Sequence, residues 1–142
     1  MNEKIVRLIE ESELQIKDER ERLVTDIKFP LEEDYVDFLN KYDGAVGMLY
    51  SEYIDLYSVG EIMEFNTEDM LDEMFSKYLV IASMDDEAIV IDKNSNHYIV
   101  SFIELCEKEC IKIADNFEDF ICKMSSGMNW GKIFNGENEM KE

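Results

Sequence analysis

The chain holds a single histidine, His97, among 142 residues. Any catalysis relayed through an imidazole would rest on that residue alone. Its place at the start of an expected strand suits a turn or surface histidine better than a general base. No Gly-x-Ser-x-Gly elbow, glycine-rich phosphate loop or His-Glu-x-x-His pair is present, so no catalytic constellation forms. We therefore expect a non-catalytic protein. Apolar residues never run long enough to span a bilayer, so no membrane insertion is expected. Charge from Glu3 onward argues against a signal peptide, and the expected compartment is the cytoplasm.

Cysteine is also sparse. Cys106, Cys110 and Cys122 cannot all pair within one chain, and they lie within or beside apolar patterns. They read as buried or half-buried thiols in a reducing compartment. Cys106 and Cys110 stand four apart with no histidine or second cysteine pair to complete a zinc site. Asp92, Asn94 and Asn96 imitate the start of a calcium loop. His97 then stands where that loop needs glycine, and Ile103 where it needs glutamate, so a polar hairpin turn is expected. Asp85, Asp86 and Glu87 could approach a cation, but neighbouring carboxylates in a turn more often diverge into solvent. No metal and no cofactor are expected.

Positive charge is the scarcest property of all. Fourteen basic residues face 34 acidic ones, for a formal net charge of -20. Between Lys41 and Lys93 the only basic residue is Lys77. Such a surface repels nucleic acid, whose phosphates need Lys and Arg. It would attract a basic protein and speed the encounter, though acidic surfaces also serve solubility alone.

What is present reads as one domain over residues 1–142, with a core at about 29–124 and a C-terminal extension at 125–142 whose end frays. Residues 3–24 read as a helix carrying Ile5, Leu8, Ile9, Leu14, Ile16 and Leu23, with a thin stripe from Lys17 to Arg22. Pro30, the only proline, precedes a second helix over 31–42. Leu31, Tyr35, Phe38, Leu39 and Tyr42 share one face of it. Glu32, Glu33 and Asp34 load its first turn with favourable negative charge, and Gly44 ends it.

Residues 45–57 read as a hairpin turning near Ser51 and Glu52. A turn or two of helix follows over 58–66, with Ile62 and Phe65 inward. Thr67 caps a further helix whose apolar face is Met70, Leu71, Met74, Phe75 and Tyr78. Short strands are expected at 79–82, 88–92, 97–102 and 110–114. Asp115 and Glu118 suggest a capping box before a last helix striped by Phe117, Phe120, Ile121 and Met124. The whole is an α+β domain, a mainly antiparallel sheet with helices packed on it.

Three of these stretches resemble one family. Leu31, Glu33, Asp34, Tyr35, Phe38, Leu39, Tyr42 and Gly44 are similar to the opening motif of the SMI1/KNR4 (SUKH) superfamily. This chain departs from it at Glu32, where a proline is usual, and at Asp43 and Ala45, which flank Gly44 where Asn-Gly-Gly is usual. Residues 79–92 resemble the family's strand–turn–strand, with acids at Asp85, Asp86 and Glu87 in place of its glycines. Residues 113–121 resemble its C-terminal Ile-Ala-Asp-Ser-Phe-Glu-Glu-Phe-Leu. The three motifs fall in the family's order.

The resemblance implies an immunity protein, because bacterial members commonly bind and neutralise a toxin domain, often a nuclease. A regulatory scaffold in cell-wall synthesis or growth signalling is the alternative, and a metal-dependent enzyme or small-molecule binder a further one. The expected partner is a protein, a basic toxin domain. Expected contact residues are the acidic stretch Glu61, Glu64, Glu68, Asp69, Asp72 and Glu73, with the turn Asp85, Asp86 and Glu87. Tyr50, Tyr53 and Tyr57 either join such a surface or alternate between core and sheet surface.

Overall fold

The computed structural model describes residues 2–66, 77–102 and 107–127. Along the chain run α1 (Glu3–Glu10), β1 (Glu13–Ile16), a 3₁₀ turn (Val24–Asp26), α2 (Glu33–Tyr42), β2 (Ala45–Leu49), β3 (Glu52–Leu56) and α3 (Val59–Phe65). Then follow β4 (Leu79–Met84), β5 (Glu87–Ile91), β6 (His97–Ser101), a second 3₁₀ turn (Glu107–Glu109), β7 (Ile111–Ala114) and α4 (Phe117–Ser126). Among the described residues, seven strands form one antiparallel sheet in chain order. This is the expected α+β architecture. The helix expected from Thr67 lies outside the described residues.

The long helix expected over 3–24 is not there. Only Glu3–Glu10 is helical. The Ser12 hydroxyl donates to the Ile9 carbonyl and accepts from the Leu14 N–H, turning the chain out of the helix. Leu14 and Ile16 then follow strand spacing, and 13–16 pair with β2. The charged run after them crosses the molecule as a strap. Its Lys17 and Asp18 N–H groups donate to the carbonyls of Gly44 and Tyr42 at 3.0 and 2.9 Å. Asp18 and Arg20 take positive φ, which no helix allows.

The two middle strands of the meander are buried almost throughout. Phe38 from α2 and Phe117 and Phe120 from α4 fill the core beside Ile5 and Ile9 of α1. Tyr35 and Phe38 set their rings 5.0 and 5.1 Å from that of Phe117. The signature face of α2 is therefore core, as its spacing implies. The helix N-termini are tied together: the Asn2 amide donates to Asp34 at 3.2 Å and to Glu118 at 2.9 Å. Glu32, which precedes α2, accepts the Phe117 N–H of α4 at 2.8 Å. That helix is capped by Asn116, not by the Asp115 and Glu118 pair. The Asn116 side chain accepts the Asp119 N–H, and the Asp119 carboxylate accepts the Asp115 N–H.

The end of α2 carries the main polar anchor. Asp43 adopts the left-handed conformation at φ 48° and is only 2 % exposed. One carboxylate oxygen accepts the Arg20 N–H of the strap at 2.5 Å, and the other accepts the Val59 N–H at 2.9 Å. Val59 opens α3, so a negative charge sits where the helix dipole favours it. Next door, Gly44 sits at φ +94°, and a Cβ there would fall 2.8 Å from the Ser58 nitrogen. Glycine is required by both the backbone and the close approach. At the far end of α3, Asn66 is buried and stitches the helix to β4 through both Val80 backbone groups, at 2.8 and 2.9 Å.

His97 overturns its reading as a turn or surface residue. It is 1 % exposed and stacks on Phe120 with ring centroids 5.0 Å apart. Pairing with Ala114 turns its side chain under α4. Its Nδ1 lies 3.0 Å from the Ser95 carbonyl. Burial pulls its pKa down to about 4, against the weaker upward pull of Ser95, Asp92 and Asp119.

Two predictions follow from these anchors. Asp43→Asn keeps a side chain that tolerates the left-handed backbone but leaves one N–H facing an amide nitrogen. It should cost about 1–3 kcal/mol in urea unfolding, and an unchanged midpoint would remove Asp43 from this role. His97 is neutral in the fold at pH values where the unfolded chain protonates it. Its contribution is therefore complete above about pH 6.5 and lost towards pH 4. Relative to His97→Phe, the parent should lose about 3 kcal/mol between those limits. Parallel pH profiles for the two proteins would contradict the assignment.

Candidate functional site

β3 alternates Glu52, Tyr53, Ile54, Asp55 and Leu56, so its side chains point in turn to opposite faces. Ile54 is wholly buried, whereas Tyr53 is 59 % exposed. β2 repeats the contrast, with Ala45 and Leu49 buried and Val46 and Met48 half-buried. The register aligns Glu13, Met48 and Tyr53 in one row, and Gln15, Val46, Asp55 and Ser83 in the next. The sheet thus has an open face over β1–β3. Tyr50, at the β2–β3 turn, is 67 % exposed. Tyr57, the third tyrosine of the cluster, is buried.

Of the residues expected to make contact, Glu68, Asp69, Asp72 and Glu73 lie outside the described residues. Glu61 is occupied internally. Its carboxylate accepts the Ser58 N–H at 2.9 Å in a capping box and meets the Lys17 ammonium at 2.6 Å. Asp55 holds the same ammonium, also at 2.6 Å. Burial lowers the Lys17 pKa, but its bonds to the two carboxylates outweigh that and lift it above the ordinary value. Burial pushes Glu61 up, but Lys17 and Ser58 bring it below the ordinary value. Glu64 is exposed and lines a depression of about 280 Å³ with Tyr57, Glu61 and Phe65.

Asp85 and Asp86 form the exposed turn between β4 and β5, and Glu87 is half-buried beside them. Burial raises the Glu87 pKa, and repulsion from Asp85, Asp86 and Glu52 adds to it. Glu52 is raised by burial and then by Asp85. Glu52 therefore belongs to this acidic group. Sequence reasoning missed it because it stands 33 positions from Asp85 and only the pairing of β3 with β4 brings them close. Glu61 stands beyond the other end of β3, so the two acidic places are roughly 13 Å or more apart by strand rise.

The remaining candidates stay structural. Asp92 accepts the N–H groups of Asn94 and Asn96, the Asn96 amide and the Tyr98 hydroxyl, all between 2.9 and 3.1 Å. It is a polar hairpin turn, as expected, and these bonds outweigh burial to hold Asp92 below its ordinary pKa. Cys110 and Cys122 are half-buried, and Cys106 lies outside the described residues. Among the described residues, no group of three or more His, Cys, Asp or Glu side chains is arranged to hold a metal ion. Nor is any described helix long and apolar enough to cross a membrane.

The profile of the SMI1 / KNR4 family (SUKH-1) matches residues 12–123, and the chain belongs to that family. The match starts at residue 12, so it takes in β1 and the strap as well as the three motifs. No curated protein matches the chain.

Lys17 is the cation between the two carboxylates at the border of the open face. Lys17→Met would leave Asp55 and Glu61 facing each other. It should cost about 1–3 kcal/mol at low ionic strength, with part of the loss recovered in salt. Equal stability of the two proteins in urea would show that the bridge contributes nothing.

Proposed function

We propose that this SMI1/KNR4-family chain is a cytoplasmic immunity protein that neutralises a bacterial toxin domain by stoichiometric binding, without catalysis. Family membership supports a role in binding another protein. The observation that carries the more specific reading is the acidic group of Glu52, Asp85, Asp86 and Glu87. These carboxylates crowd one edge of the molecule, next to exposed tyrosines. A basic domain, such as a nuclease with a phosphate-binding surface, would relieve their repulsion and be steered to them. Once covered, that surface could not reach nucleic acid. Glu64 and the acidic residues from Glu68 to Glu73 are proposed as further contacts.

The reading is tested with the toxin domain encoded beside this chain's own gene. Co-expression should restore growth, and the two proteins should purify as a complex. Reversing the charge at Asp85, Asp86 and Glu87 should weaken the complex, and weaken it more at low salt than at high. An affinity unchanged at every salt concentration would remove the electrostatic part of the reading. Failure of the pair to associate, with growth still arrested, would remove the reading itself.

A further inference from the structure

We infer that the open face of β1–β3, centred on Tyr53 and Met48, docks a segment of the partner that carries arginine or lysine. The inference rests on the protein-binding reading above and adds the place and chemistry of contact. Tyr53 is 59 % exposed on a strand whose next residue is fully buried. Its neighbours across the register, Met48 and Glu13, offer one apolar and one anionic side chain. Val46 extends the apolar floor by one row. An exposed tyrosine over a half-buried methionine is the kind of anchor that interfaces concentrate.

Charge selects the occupant. Glu13 stands in the same row as Met48 and Tyr53 on this floor, while Glu52, on the Ile54 side of β3, and Asp85 charge the rim where β3 begins. Lys17, at the other end, is already held by two carboxylates. Nucleic acid and anionic lipid would meet repulsion here. A second copy of the chain would press like charges together. An arginine or lysine gains the carboxylates and the tyrosine ring at once.

The test is an NMR titration of the full chain with a short soluble peptide of arginines and leucines. A peptide with glutamate in place of arginine is the control. Shifts should concentrate on Val46, Met48, Glu52 and Tyr53, and the control should produce none. Tyr53→Ala, at an exposed position, should leave the unfolding midpoint unchanged and weaken the arginine peptide about tenfold. Glu33→Lys, a charge reversal on α2 away from this face, should alter it less than about twofold. Shifts spread over the whole acidic surface, no shifts at all, or full affinity in Tyr53→Ala would each overturn the inference. Growth protection that fails while the peptide still docks on Tyr53 would sink the functional reading and leave this surface standing. Protection and full toxin affinity in Tyr53→Ala would do the reverse.

Discussion

Asp43 joins three parts of the chain, the strap, the end of α2 and the start of α3. Its buried carboxylate accepts one N–H from the strap and one from the first residue of α3, while its own backbone turns the chain out of α2. A buried carboxylate is tolerated only when its oxygens are matched by donors. Two backbone donors and a helix N-terminus meet that demand here. The constraint propagates. Gly44 must follow for lack of space, and β2 must begin at Ala45. The strap is held where Lys17 can reach Asp55 and Glu61.

That arrangement divides the sheet into two kinds of surface. In β4 and β5 nearly every residue is buried, so those strands serve the core. In β2 and β3 one face packs inward and the other is open. The Lys17 bridge takes Glu61 and Asp55 out of the free acidic surface. Asp85, Asp86 and Glu87, with Glu52 and the exposed tyrosines, lie towards the β2–β3 and β4–β5 turns, while Glu64 stays exposed on α3. The division between structural and available charge follows from which acids find a lysine. A net charge cannot express it.

Much of this was legible in the residues. The helical spacing of Leu31 to Tyr42 gave a core face, the β2–β3 hairpin and the strands from Leu79 to Ala114 fell close to their expected places, and Asp92 made the polar turn. The misses have physical causes. Leu14 and Ile16 fit a loose helical stripe and a strand equally well, and pairing with β2 decided between them. Asn116 won the cap from Asp115 because its side chain reaches the Asp119 N–H. A lone polar residue beside a turn points to exposure for His97, but the β6–β7 pairing places it under α4.

The run of strands from β2 to β7 along the chain, the faces of α2 and α4 and the strong acidic excess are properties of the sequence by itself, because they follow from periodicity and composition. Family membership was also readable from three short motifs. Only the tertiary structure decided which acids are free. Glu61 and Asp55 are quenched by a lysine 44 and 38 positions away, and Glu52 is recruited to Asp85 across a strand pair. Coulomb interactions act through space over a few ångströms and take no account of separation along the chain. The charges were therefore countable from the sequence, but their assignment to structure or to surface had to wait for the fold.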